Sequence, residues 1–198
     1  MKLRIHPLIL SVILLGFTTG ALFIGRAALS YATFQSSKNF CILLDAGHGG
    51  SDPGKVSASG IKEKDINLAI TLKCKSILEQ NGITVLLTRN GDYGLEEASA
   101  PNKKASDLKK RKTLILEKNI NCAVSIHQNS FPDSSSHGSQ VFYHPDYPAS
   151  KKLATLIQDQ LQNLTGIENR RKIKPNTDYY LLRDNNIPTV IAEVCFLS

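Results

Sequence analysis

The chain has no internal repeat and no low-complexity tract, so its 198 residues read as one ordinary globular domain with a sizeable core. It also lacks an arginine-rich arm, an aromatic-basic ladder and zinc-finger spacing, which removes nucleic acid as a partner. The charge is nevertheless basic: 24 Lys and Arg against 17 Asp and Glu give a net +7 spread along the chain. Such a surface is drawn to other anionic polymers, among them phospholipid surfaces and bacterial wall polymers. Cysteines are few. None of Cys41, Cys74, Cys122 and Cys195 has a neighbour close enough for a structural zinc site. Cys41 and Cys122 begin apolar runs and Cys74 falls on an apolar helix face, so buried free thiols are expected rather than disulfides.

The N-terminus carries Lys2 and Arg4 ahead of an apolar run from Leu8 to Ile24. That run is near the lower length limit for crossing a bilayer, and its basic flank would stay in the cytoplasm. Ser30-Tyr31-Ala32 has the small-x-small pattern of a cleavage site, so a secretory signal and an uncleaved anchor both remain open for residues 1–32. Residues 33–39 read as a polar linker. The folded domain is expected over 40–198, outside the cytoplasmic membrane.

Within it, "CILLD", "ITVLLT", "CAVSIH", "SQVFYH" and "TVIAEV" read as strands. Helical patterns fall between them over Glu63–Asn81, stopped by Gly82, over Ala105–Asn119 and over Ser150–Asn163. Asn90–Lys104 reads as a surface loop. The first helix repeats apolar residues at Ile66, Ile70, Cys74, Ile77 and Leu78. The alternation predicts an α/β fold: a three-layer, mostly parallel twisted sheet with helices on both faces.

In such sheets ligand sites form beyond the carboxyl ends of the strands. The first strand runs into "AGHGGSDPG" and delivers His48. "CAVSIH" delivers His127, "TVIAEV" delivers Glu193, and Glu63 opens the first helix at the same rim. A phosphate cradle is disfavoured at the glycine-rich loop, because "GHGGSD" neither completes G-x-G-x-x-G nor supplies a Lys-Ser/Thr pair. Its glycines are better explained as turns that carry the backbone around His48. His-Glu-His suits Zn²⁺, leaving one position for water. Glu193 can then exchange a proton with that water and with a leaving amine. Together these residues make an amide hydrolase. His6, His137 and His144 have no such company, and "KKRK" (Lys109–Lys112) reads as a solvated helix face.

The motifs "LLDAGHGGSDPG", "GIKEKDINLA", "LLTR", "SIHQNSF" and "IPTVIAEVCFLS", in this order, resemble the zinc-dependent N-acetylmuramoyl-L-alanine amidases of bacterial wall turnover, the amidase_3 type. The resemblance implies zinc ligands His48, Glu63 and His127 with Glu193 as the catalytic carboxylate, and peptidoglycan as substrate. Within the family the chain is most similar to the germination-specific amidases of spore-forming bacteria, some of which have a lipoprotein partner. That likeness implies a role in spore cortex maturation, through muramic-lactam formation, and in germination. Vegetative wall turnover, an inactive wall-binding protein and a peptidase acting within the stem peptide stay open as alternatives. Two departures are visible. Cys195 stands where the family usually has glycine, and strand spacing would put it on the face of Glu193. The chain also stops at "FLS", where relatives continue into a closing helix.

Overall fold

The computed structural model describes residues 40–197, apart from 118, 134 and 164–168. The expected N-terminal segment and linker lie outside the described residues. Among those described, no helix is long and apolar enough to cross a membrane.

Six strands form one sheet: β1 (Cys41–Ala46), β2 (Thr84–Leu87), β3 (Cys122–Asn129), β4 (Gln140–Tyr143), β5 (Lys174–Pro175) and β6 (Thr189–Phe196). Helices α1 (Glu63–Gln80), α2 (Lys103–Ile115) and α3 (Pro148–Gln162) connect them, with a 3₁₀ turn at Tyr180–Leu182. The spatial order is β2-β1-β3-β6-β4-β5. Neighbours run parallel except β4 against β6. The mostly parallel α/β architecture read from the sequence is therefore the observed one.

Strand alternation divides the core between two faces. On one face Cys41, Leu43 and Ala123 pack with Ile115 of α2 and Leu181, while Phe142 and Ile191 meet Leu182. On the other, Val190, Ala192 and Val141 close on Ala154 of α3. Each fully buried aliphatic side chain here contributes about 1.5–3 kcal/mol relative to exposure. Helix α1 packs along β1, β2 and β3.

Several local expectations need correction. Helix α2 starts at Lys103, not Ala105, because the Asn102 side chain accepts from Ala105 N at 3.0 Å and caps it. It ends at Ile115, and Asn119 adopts φ 75. Helix α3 starts two residues early at Pro148, whose ring suits a first helical position. The two-residue strand β5, Lys-Pro, carried no pattern to find. The apolar stripe expected on α1 is only half-buried, with Ile77 60 % exposed. Its fully buried line is polar: Glu63, Asn67 and Thr71. The basic run also divides, for Lys109 and Lys110 are exposed while Arg111 and Lys112 are buried. The four cysteines are unpaired; Cys41 and Cys122 are buried as expected, but Cys74 is half-buried and Cys195 exposed.

Candidate metal centre

The loop after β1 is held in shape from outside itself. His48 adopts φ 62, the left-handed region that non-glycine residues rarely occupy, so something must fix it there. Two buried arginines do so. Arg111 of α2 donates to Ala46 O at 2.8 Å and to His48 O at 2.7 Å. Arg89, just past β2, donates to Ala46 O at 2.9 Å, Gly47 O at 3.0 Å and Lys64 O at 2.8 Å. Arg111 is itself anchored by Asp45 at 2.5 Å and Asp107 at 2.6 Å. Asp45, fully buried, also accepts from Thr88 at 2.6 Å and Ser125 at 2.5 Å. Burial pushes the Asp45 carboxyl up, but Arg111 and the two hydroxyls outweigh it and hold it below its ordinary range.

This brace brings three groups together. One donor atom from each of His48, Glu63 and His127 lies within 4.8 Å of the others. Glu63 Oε2 is 3.2 Å from His48 Nε2, and Glu63 Oε1 is 3.0 Å from His127 Nδ1. The far nitrogen of His48, Nδ1, is held by Asp52 Oδ2 at 2.8 Å. The opposite side of the His127 ring lies against Gly47, where a Cβ would come within 2.2 Å of Nε2. Gly54 at φ 64 makes a second close approach, since a Cβ there would meet Glu63 Oε2 and His48 Cδ2 at 2.6 Å. Both glycines are therefore required by contact with the cluster. Each oxygen of Glu63 also accepts a backbone N–H, from Lys55 at 2.9 Å and Gln128 at 3.1 Å. Burial raises the Glu63 carboxyl, yet the hydrogen bonds from His127, His48 and Lys55 bring it far below the usual range.

Glu193 is the register partner of His127 across β3 and β6. Its Oε2 is buried without a hydrogen-bond partner among the described residues. Burial raises this carboxyl above its ordinary value, the histidines pull it down, and the charge of Glu63 adds to the rise. A buried polar atom left unsatisfied costs roughly 1–3 kcal/mol, which makes this oxygen a candidate for chemistry.

Two imidazole nitrogens and a carboxylate oxygen are the donor set of a zinc site with a position left open. All four residues read from the strand ends stand at this rim. Cys195 does not join them. Between His127 and Asn129 the register with β6 shifts, so that Asn129 pairs with Phe196, and the simple alternation linking Glu193 to Cys195 fails. The two arginines, Asp52 and Asn67 were not identified from the sequence. Asn67 sits one helical turn beyond Glu63, donating to Gly47 O at 3.2 Å and to Glu63 Oε1 at 3.3 Å. "LLTR" and "GGSDPG" carried Arg89 and Asp52 as motif letters with no role attached.

Comparison with known proteins shows the family. Residues 42–198 match the family described as N-acetylmuramoyl-L-alanine amidase, Amidase_3. The chain is 35% identical over 161 residues to the germination-specific N-acetylmuramoyl-L-alanine amidase of Bacillus subtilis (strain 168), covering 79% of this chain and 67% of that one. Among solved structures it resembles the CwlD amidase of Clostridioides difficile in complex with the GerS lipoprotein. The TM-score is 0.76 and the identity 45%, over 80% of this chain and 83% of that chain. The catalytic domain of CwlV, an N-acetylmuramoyl-L-alanine amidase from Bacillus (Paenibacillus) polymyxa var. colistinus, follows at TM-score 0.68 and 34% identity, covering 80% and 81%.

Proposed function

Because the chain belongs to the Amidase_3 family of N-acetylmuramoyl-L-alanine amidases, we propose that it is a zinc hydrolase cutting the amide between N-acetylmuramic acid and L-alanine in peptidoglycan. The observation that carries the metal chemistry is the His48-Glu63-His127 cluster, its donor atoms within 4.8 Å, beside the unpartnered Glu193 Oε2. His48, Glu63 and His127 would hold Zn²⁺, which when bound supplies Lewis acidity to water and to the scissile carbonyl.

The remaining steps belong to the chain's own groups. Asp52 fixes the His48 ring through Nδ1 and so presents Nε2 to the centre. Glu63, ionised by its hydrogen bonds, stays a charged ligand. Glu193 Oε2 has no competing partner, so it can take a proton from the attacking water and deliver it to the departing alanine nitrogen. Its raised proton affinity suits both halves of that exchange.

The spore-specific part is also our reading. Likeness to a germination-specific amidase supports a role in cortex maturation, including muramic-lactam formation, on the outer side of the cytoplasmic membrane. The N-terminal segment, residues 1–32, would carry the chain there and leave it anchored or secreted. Likeness to a CwlD–GerS complex supports a lipoprotein partner. Mass spectrometry of cortex peptidoglycan digested by the purified, zinc-loaded protein tests the reading. Release of intact stem peptides beginning with L-alanine is expected; cleavage inside the stem, or none, would count against it.

A further inference from the structure

Helix α1 places Glu63, Asn67 and Thr71 four residues apart, so the three share one face, and all three are buried. Asparagine is a poor choice for the inside of a helix, and a buried amide is costly unless its polar atoms are bonded. Asn67 is fully buried and meets that condition through partners outside the helix as well as within it. Thr71 differs: its hydroxyl donates at 2.7 Å to the backbone carbonyl of Asn67, one turn back in the same helix.

The Asn67 amide is bonded on both sides. Its Nδ2 donates to Glu63 Oε1 at 3.3 Å and to Gly47 O at 3.2 Å. Its Oδ1 accepts from Gln128 Nε2 at 3.0 Å. One side chain thus ties α1 to the loop after β1 and to β3.

Each of those partners touches the centre. Glu63 Oε1 is the oxygen that faces His127 Nδ1, and it also accepts the Gln128 backbone N–H. Gly47 is the residue against which the His127 ring lies, and its carbonyl accepts from Arg89 as well. Gly47 N donates to Ile126 O at 3.0 Å, after which the chain turns into the loop at His48. Gln128, two residues further along β3, directs its backbone N–H to Glu63 and its buried side chain to Asn67.

We propose that Asn67 is a positioning residue for the metal centre: its amide, oriented by Gln128, sets the Glu63 carboxylate through Oε1 and the Gly47 peptide behind His127. The proposal rests on the zinc reading above and adds to it a residue outside the three ligands. The buried polar line of α1 is thereby divided, for Glu63 and Asn67 serve the centre while Thr71 serves the helix.

The test is zinc affinity, measured by competition with a chelator on folded, gel-filtered protein. Asn67→Leu keeps the branched outline, removes the polar atoms and should weaken zinc about tenfold or more. Thr71→Val removes a hydrogen bond just as deeply buried and should leave zinc within about twofold while lowering the urea midpoint. A purely structural Asn67 would move the midpoint in both variants and the zinc affinity in neither. Because the two amides act as one unit, Gln128→Leu should weaken zinc in the wild-type background and add less than about twofold to Asn67→Leu. Unchanged zinc affinity in Asn67→Leu, or full additivity of the two losses, overturns the assignment. Should Asn67→Leu not fold, Asn67→Ser carries the same expectation and the same refutation. Failure of wild type itself to bind zinc overturns the metal reading, and the assignment with it.

Discussion

Glu63 and Glu193 face the same centre and are built in opposite ways. Both oxygens of Glu63 are taken by backbone N–H groups and imidazoles, and its proton affinity is driven down. Glu193 keeps one oxygen buried and unpartnered, and its proton affinity is driven up. The residue type is the same and the surroundings differ, which is the basis for the roles proposed here: Glu63 ionised to hold charge, Glu193 to exchange a proton.

The comparison can be broken most severely at Glu193. Glu193→Gln keeps the shape and removes the proton exchange, so kcat on a muropeptide should fall about 10²- to 10⁴-fold without loss of fold, as circular dichroism would report. Next in size is the brace. Arg111→Met leaves Asp45 buried without its cation and should cost about 3–5 kcal/mol in urea unfolding. The same network gives stability its pH dependence. Asp45 has its folded proton affinity depressed, so its contribution is present above about pH 4 and is lost as pH falls further. Arg111→Met should flatten that acid limb in a melting series.

Asp52→Ala is smaller and more selective. Asp52 is half-exposed, so stability should change little, but zinc affinity in a chelator competition should weaken about 10- to 100-fold as His48 loses its orientation. Smallest is Ile77→Ser on the outer side of α1, expected within about 0.5 kcal/mol because that side chain is already 60 % exposed. A large effect there would mean that α1 depends on its apolar stripe rather than on the polar line toward the centre.

The candidate residues of the centre were legible because the carboxyl-end rule for open sheets needs only the letters around each strand's end: His48 lies just past β1, and His127 and Glu193 lie near the ends of β3 and β6. Glu63 was legible as the first residue of a helix beginning at that rim. The supports were not. Arg111 lies in a run of four cations, and burial of one cation among exposed ones depends on a distant partner, here Asp45, 66 residues away. Similarly, the polar line on α1 was hidden by an apolar repeat that hydrophobic periodicity reads first. The shift in register that leaves Cys195 exposed arises in strand pairing and has no local signal.

The division between the two carboxylates is tested most directly by zinc stoichiometry in Glu63→Gln and Glu193→Gln, measured side by side on folded, gel-filtered protein. The expected result is near-stoichiometric zinc in Glu193→Gln and little or none in Glu63→Gln. Retention of zinc by Glu63→Gln, or its loss from Glu193→Gln, would contradict the assignment.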